Sequence, residues 1–206
     1  MAQRTEGLFR LVGIPYFYKA FQSGLGADRA RKTFIGEFAR PKAGMRVLDV
    51  GCGPGILFPY LPEVDYTGID LNAKHIEAAR ARYGAKGRFL AGNAAGNLEL
   101  EEDSFDLIIV SALLHHLNDD EARSLMSQLV RLVPHGGRIA TLDQVWLPEQ
   151  HVVARVLNRL DSGQNVRTPE GYQSLVDGLP VDVECKVFRN LIRLPYDYFC
   201  MALTRR

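Results

Sequence analysis

The sequence predicts an α/β fold in which a mostly parallel sheet is covered by helices on both faces. From Met45 onward, short apolar runs typical of buried strands alternate with amphipathic stretches at helical spacing. A glycine-rich turn follows the first of these runs directly. The chain has 206 residues, 47% of them hydrophobic, which is enough for one domain, and no repeat or linker divides it.

Two segments with helical patterns come before the first strand. The first covers residues 8–21 and includes several aromatic side chains, and the second runs from Asp28 to Ala39. Asp28 is the expected N-cap of the second helix, and Pro41 follows its end. We expect residues 1–44 to form a helical cap.

The central region, residues 45–142, contains the clearest alternation. The predicted strands are Met45–Val50, Tyr66–Ile69, Arg88–Ala91, Phe105–Val110 and Arg138–Leu142, and the predicted helices are one after Gly55, then Ala73–Tyr83 and Glu121–Val133. Asn118 and Glu121 have the spacing of a capping box at the start of the last helix. Strands that alternate with helices imply right-handed crossovers and parallel pairing.

The final part, residues 143–206, is expected to contain two helices and two strands. These are the helices Val152–Leu160 and Pro169–Val176 and the strands Val181–Phe188 and Tyr196–Thr204. No helix separates the two strands, so they should pair antiparallel, with the final strand running against the rest. The whole chain, 1–206, is therefore predicted to be a single domain around a doubly wound, seven-stranded sheet.

Composition restricts the partners and the compartment. The 25 basic and 24 acidic residues nearly cancel, which disfavours nucleic acid as a partner. No apolar run reaches the length of a membrane span, so no membrane insertion is expected, and the N-terminus lacks a secretion signal. The three cysteines lack disulfide or metal-ligand spacing. These features predict a soluble, cytoplasmic protein, and they leave the oligomeric state open.

The glycine-rich turn predicts a nucleoside-containing cofactor. Gly51, Gly53 and Gly55 follow a buried strand, and glycine lets the backbone adopt positive φ and approach a ligand closely. Asp70 ends the next strand, where a doubly wound fold places an acid that accepts hydrogen bonds from a ribose. The dinucleotide fingerprint would need its third glycine at Ile56, so NAD is the weaker interpretation.

The loop, with Asp49 two residues ahead of it, resembles motif I of the class I S-adenosylmethionine-dependent methyltransferases. The resemblance continues through Phe89–Ala94, Phe105–Leu117 and Arg131–Arg138. It implies the Rossmann-like fold of that family and S-adenosyl-L-methionine as cofactor, with S-adenosyl-L-homocysteine as product. Small bacterial members, whose acceptors are often unassigned, have a similar layout.

The resemblance also implies a set of cofactor-binding residues along the sheet edge. The glycines would line the methionine part, Asp70 would hold the ribose, Leu71 would lie against the adenine, and Asn93 stands where the family often has Asp. The full set is Asp49, Gly51, Cys52, Gly53, Gly55, Asp70, Leu71, Asn93, Ala94 and Ser111.

His115 and His116 are the candidate catalytic residues, because they follow the fourth strand and a neutral imidazole can accept a proton near pH 7. His116 is favoured, since it aligns with the residue that faces the site in related proteins; packing or capping beside Asn118 is the alternative. A base is required only when the acceptor must lose a proton. The acids Asp119 and Asp120 resemble a first helical turn, so no metal is expected.

The acceptor is expected to be a small molecule with an O, N or C nucleophile. Tyr18, Arg167 and Tyr172 are candidate contacts, with Arg167 as a clamp for a carboxylate or phosphate. Ser111 and the residues after it contain no Asn-Pro-Pro-Tyr motif, which disfavours methylation of base amines. Two alternatives remain: a non-catalytic S-adenosylmethionine-binding protein that acts through a partner, and a NAD-dependent oxidoreductase.

Overall fold

The computed structural model describes residues 26–96, 98–161 and 163–206. The helix predicted over residues 8–21, with Tyr18, lies outside them. The strands are β1 (Arg46–Val50), β2 (Asp65–Asp70), β3 (Arg88–Ala91), β4 (Leu107–Ser111), β5 (Arg138–Gln144), β6 (Val181–Phe188) and β7 (Tyr198–Arg205). The α-helices are α1 (Ala27–Phe34), α2 (Ala73–Tyr83), α3 (Asp119–Leu132), α4 (Val152–Leu160) and α5 (Pro169–Gln173).

The strands form one seven-stranded sheet in the order β3-β2-β1-β4-β5-β7-β6. The first five pair in parallel, and β7 runs antiparallel to both of its neighbours. The predicted fold class is therefore confirmed, including the reversed last strand. Because the order reverses between β1 and β4, the carboxyl ends of these strands flank a crevice of the kind that binds ligands in doubly wound sheets.

Helices cover both faces of the sheet. On one face α3 buries its apolar side, including Leu125 and Leu129, against β4 residues such as Ile108. On the other face Phe34 of α1 and Ile76 of α2 belong to a second buried cluster. Within the described residues, no helix is long and apolar enough to cross a membrane.

The capping box predicted for α3 is present. Asn118 accepts a hydrogen bond from the Glu121 amide, and the Glu121 carboxylate accepts one from the Asn118 amide. The acids Asp119 and Asp120 occupy the first turn, where they favour the positive end of the helix dipole. The cap that fixes the start of α3 thus lies two residues after the histidine pair.

The N-terminal helix differs from its prediction at both ends. Gly26, with φ of 84°, precedes α1, and no side chain caps it. Asp28 lies in the first turn instead, where its carboxylate accepts a hydrogen bond from the Tyr60 hydroxyl, so the prediction that Asp28 is the N-cap was wrong. After α1 the chain makes a π-helical turn, Ile35–Ala39, which ends at Arg40 in the left-handed region.

The helix predicted after Gly55 is absent. A single 3-10 turn, Phe58–Tyr60, occupies the segment before β2. Pro59 and Pro62 interrupt this segment, and proline lacks the N–H that a continuing helix requires. The Phe58 ring instead packs edge-on against the Tyr66 and Tyr83 rings, with centroids 4.7 and 4.8 Å apart. An aromatic cluster thus covers the position where a helix was expected.

Candidate active site

The glycine turn lies at the carboxyl end of β1. Gly51, Gly53 and Gly55 have φ values of 76°, 54° and 73°, in the left-handed region that other residues rarely adopt. The amides of Gly51 and Cys52 both donate to the Ile69 carbonyl of β2, at 2.8 and 3.0 Å. The turn is thereby tied to the neighbouring strand, and its conformation requires glycine.

The glycines have different surroundings. Among the described residues, a Cβ built on Gly53 would meet only Ile56, at 3.9 Å, so this part of the chain leaves the space above Gly53 open. A Cβ on Gly51 would contact the Leu113 side chain at 3.3 Å, and one on Gly55 would lie 2.7 Å from the Tyr83 ring. Gly55 therefore serves the packing of the aromatic cluster, and the open part of the turn is at Gly53.

Asp70 ends β2 beside this opening, where its carboxylate already accepts several hydrogen bonds. Oδ2 accepts from the Gly53 amide at 2.8 Å, and Oδ1 accepts from the Asn72 amide at 2.9 Å and lies 3.2 Å from Nδ1 of His75. Burial alone would raise the pKa of Asp70, but the bonds from His75, Asn72 and Gly53 outweigh it and lower this pKa. A carboxylate offers about four acceptor positions, so Oδ2 retains capacity for a ligand hydroxyl.

Asp49 lies beneath the turn and is 1% exposed. Its Oδ2 accepts a hydrogen bond of 2.7 Å from the Tyr66 hydroxyl. Burial raises the pKa of Asp49 to about 7, against the lowering effect of Tyr66. Cys52 is also buried, and burial with the nearby Asp49 raises its thiol pKa. Asp49 and Cys52 thus support the turn from below.

The expected adenine side lies along the ends of β2 and β3. Leu71 is 55% exposed, which is unusual for a large apolar side chain at a strand end. Asn93 is exposed, and its Oδ1 accepts from the Ala95 amide at 3.1 Å, while Ala94 is buried. Leu71 offers an apolar surface beside the carboxylate of Asp70.

The end of β4 forms the other wall. Ser111 is half-buried, and Ala112 after it has φ of 53°, a strained conformation for a residue with a side chain. The Ala112 amide donates to the Leu142 carbonyl at 2.7 Å. This turn directs the chain across the sheet edge toward the two histidines.

His115 is buried in a polar cluster. Its Nδ1 lies 2.7 Å from Asp143 Oδ1, and both side chains are 2% exposed. Its Nε2 lies 3.4 Å from Asp161 Oδ1 and 3.3 Å from Gln144 Nε2. Gly163 packs on the ring so closely that a Cβ there would clash with His115 Cδ2. Both ring nitrogens are therefore enclosed.

His116 is half-buried, and its ring packs against the His115 ring with centroids 4.1 Å apart. Burial, with a smaller effect of His115, lowers the pKa of His116. Its side chain makes no hydrogen bond within the part of the chain that the structure describes. His116 is therefore neutral near pH 7, and it is the more exposed of the two histidines.

Arg167 does not have the freedom that an acceptor clamp requires. Its guanidinium donates to Asp119 at 2.9 Å through Nε, to the Leu114 and Asn165 carbonyls through one terminal nitrogen and to the Leu117 carbonyl through the other. A second ion-pair contact joins Asp119 to that last nitrogen at 2.8 Å. Because its N–H groups are engaged, Arg167 instead fixes the histidine turn to the start of α3.

Tyr172 is also internal. It is 1% exposed, its hydroxyl donates to the Gln144 carbonyl at 2.8 Å, and its ring stacks on Phe199. The prediction that Tyr172 contacts the acceptor was therefore wrong. A single tyrosine within a proline-initiated helix does not distinguish a core residue from a pocket residue.

Three side chains at this edge were missed from sequence. Asp143 directly follows an apolar run, so the argument that singled out Asp70 could have found it. Asp161 and His75 carry no comparable signal. Asp161 also lines a cavity of about 420 Å³ beside α4, together with Trp146, Asn158, Arg159, Gly163, Gln164 and Val166.

Comparisons with known proteins agree with this geometry. Residues 47–137 match the family described as "Methyltransferase domain". The chain is 31% identical over 131 residues to the uncharacterized methyltransferase YcgJ of Bacillus subtilis, covering 60% of this chain and 49% of that protein. It is 29% identical over 114 residues to a ubiquinone biosynthesis O-methyltransferase of Vibrio cholerae, covering 53% and 46%. The chain thus spans about half the length of these curated relatives.

Solved structures share the fold. The crystal structure of YcgJ superposes with a TM-score of 0.68 at 18% identity, covering 87% of this chain and 99% of that one. The geranyl diphosphate C-methyltransferase of Streptomyces coelicolor superposes with a TM-score of 0.70 at 14% identity, covering 87% and 81%. Residues 47–137 therefore match the methyltransferase-domain family, and the chain has the fold of these solved structures.

Proposed function

We propose that the protein transfers a methyl group from S-adenosylmethionine to a small-molecule acceptor. The observation that carries the proposal is the open space above Gly53, bordered by Asp70 and by the exposed Leu71, in a methyltransferase domain. When bound, S-adenosylmethionine supplies an electrophilic sulfonium methyl and leaves as a neutral thioether.

The residues at the sheet edge fit this cofactor. The Gly53 position leaves room for a ligand against the backbone, Asp70 Oδ2 can accept from a ribose hydroxyl, and Leu71 can lie against adenine. Asn93 and Ser111 stand at the same edge and would complete the site. Gly55, which packs against Tyr83, would contribute through the shape of the turn.

The names of relatives favour a small acceptor. One match is called a ubiquinone biosynthesis O-methyltransferase, and one similar structure is a geranyl diphosphate C-methyltransferase. The chain's own cavity beside α4, of about 420 Å³, has the size of a small-molecule site. The near balance of 25 basic and 24 acidic residues argues against a nucleic-acid acceptor, and the free cysteines fit a cytoplasmic location.

We assign proton removal, where the acceptor is a hydroxyl, to His116. Its lowered pKa keeps the imidazole neutral near pH 7, so it can take the proton as the oxygen attacks the methyl carbon. His115, held by Asp143 and enclosed by Asp161, is a positioning residue on which the His116 ring rests. This order agrees with the preference for His116 drawn from the sequence.

The test is a product screen. The full chain is incubated with S-adenosylmethionine and panels of hydroxyl, amine and prenyl acceptors, and products are identified by the mass of one added methyl group. Gly53→Arg, which fills the open part of the turn, is the control. We expect a methylated product with the parent protein alone. If the parent binds S-adenosylmethionine but forms S-adenosylhomocysteine no faster than Gly53→Arg with every panel, the transferase proposal fails.

A further inference from the structure

Helix α4 presents an apolar sector to the outside of the molecule. Val152, Val153, Val156 and Leu160 are 70%, 38%, 45% and 57% exposed. At about 100° per residue, these four positions occupy one continuous sector of the helix surface. Large apolar side chains at this exposure form a patch on one helix, and such patches mark interaction sites.

The orientation of α4 is set by polar contacts on its inner side. Ala154 and Asn158 are buried, and the Asn158 amide donates to the Val145 carbonyl at 2.9 Å. Gln150, just before the helix, donates to the same carbonyl at 2.8 Å. Because the polar Asn158 is anchored inside, the valines must face outward.

Two arginines border the apolar sector. Arg155 and Arg159 are exposed one turn apart, and neither forms an ion pair within the described residues. The helix itself contains no acidic residue. Asp161, the next acid along the chain, is held by the Gln144 amide at 2.9 Å. The outer surface of α4 is thus apolar along one sector and positively charged along the adjoining one.

We propose that α4 docks on an anionic lipid surface. Apolar side chains beside exposed arginines are the pattern of helices that lie in a membrane interface. The valines and leucine would enter the acyl boundary, while the arginines contact lipid phosphates. Asn158 and Arg159 also line the neighbouring cavity, so the docked helix would place that cavity beside the lipid. This inference rests on the proposed function, and it identifies the acceptor as a lipid-like amphiphile.

Vesicle sedimentation with the full chain tests the inference. Vesicles of phosphatidylcholine alone are compared with vesicles that also contain phosphatidylglycerol. We expect binding to the anionic vesicles, weakened about tenfold or more in the double variant Val152→Asp/Val156→Asp. Arg155→Ala/Arg159→Ala should lose the preference for phosphatidylglycerol. Val183→Asp, at a 43% exposed valine on the edge strand β6, is the matched control and should bind like the parent.

Circular dichroism and titration with S-adenosylmethionine accompany each variant. Unchanged folding and cofactor affinity with lost vesicle binding would support the proposal. Equal vesicle binding by the double variant and the parent would overturn it. The proposal would also be overturned if the parent does not bind vesicles and is dimeric, while the double variant is monomeric by light scattering. A second copy of the chain would then cover α4 in place of the lipid surface. If the parent binds S-adenosylmethionine but not vesicles, the docking on lipid is rejected and the proposed function is not. If the parent does not bind S-adenosylmethionine, the proposed function is rejected.

Discussion

The carboxyl group of Asp49 is buried, and no cation among the described residues compensates its charge, so its proton should make stability depend on pH. Its pKa is raised to about 7 in the folded protein, while an unfolded aspartate titrates near about 3.9. Between these two pKa values the folded state binds more protons at Asp49 than the unfolded state does. The free energy of unfolding therefore falls as pH rises from about 4 to about 7. The decline should be on the order of 2–4 kcal/mol.

Asp49→Asn keeps an acceptor for the Tyr66 hydroxyl and removes the ionisation. We expect the variant to be at least as stable as the parent at pH 8 and to lack this decline. Urea unfolding at pH 5 and pH 8 measures both, and Asp177→Asn, at an exposed aspartate, is the control. A variant that is much less stable than the parent at pH 8 would contradict the inference that the ionised Asp49 carboxylate is buried without compensation.

The His75–Asp70 pair predicts a second pH effect. The hydrogen bond that His75 donates to the Asp70 carboxylate raises the pKa of His75, although burial opposes it, and the pKa of Asp70 is lowered. The His75 contribution is therefore complete below its unfolded pKa of about 6.5 and is lost as pH rises through the raised value. The Asp70 contribution is present above about 3.9 and is lost as pH falls through the lowered value.

His75→Gln should consequently destabilise the folded state most between about pH 4 and 6.5 and change its stability little at pH 9. Thermal unfolding of the parent and the variant across this range gives the difference in Tm. His135→Gln, at an exposed histidine before β5, is the control. A His75→Gln difference that stays constant from pH 5 to pH 9 would show that the ion pair contributes nothing.

At the level of elements, Arg167 is expected to hold the turn after β4 in place. Its side chain is 8% exposed, and its loss would remove the guanidinium donor to the Leu117 carbonyl and one of the two donors to the Leu114 carbonyl. We predict that Arg167→Met lowers the free energy of unfolding by about 2–4 kcal/mol. Arg123→Met, which removes the other, more exposed partner of Asp119, should cost less than about 1 kcal/mol. Equal losses in urea unfolding would refute this role.

The elements show where sequence patterns succeed and fail. The α2, α4 and β3 bounds follow from periodicity, and the capping box of α3 is purely local chemistry, so these predictions were confirmed. The helix after Gly55 was inferred from what usually follows such a turn. It failed because Pro59 and Pro62 oppose helix continuation, and because the Phe58 ring fills the space through contacts with distant residues.

The candidate site shows the same division. Glycines at positive φ and an acid at a strand end are visible in a sequence because the backbone itself requires them. Arg167 bonds to Asp119, 48 positions away along the chain, and Tyr172 bonds to Gln144, 28 positions away, so the burial of both depends on the packing of the whole domain. For the same reason Asp143 and Asp161 meet around His115 only in the folded molecule.

For the whole molecule, the central claim is that the sheet edge around Gly53 binds S-adenosylmethionine. Calorimetric titration of the full chain with S-adenosylmethionine, S-adenosylhomocysteine and NAD, repeated with Gly53→Arg, tests it most directly. We expect both sulfur nucleosides to bind the parent, NAD to give no heat, and the variant to bind none of the three. Binding of NAD alone, or equal binding of S-adenosylmethionine by the parent and Gly53→Arg, would contradict the account.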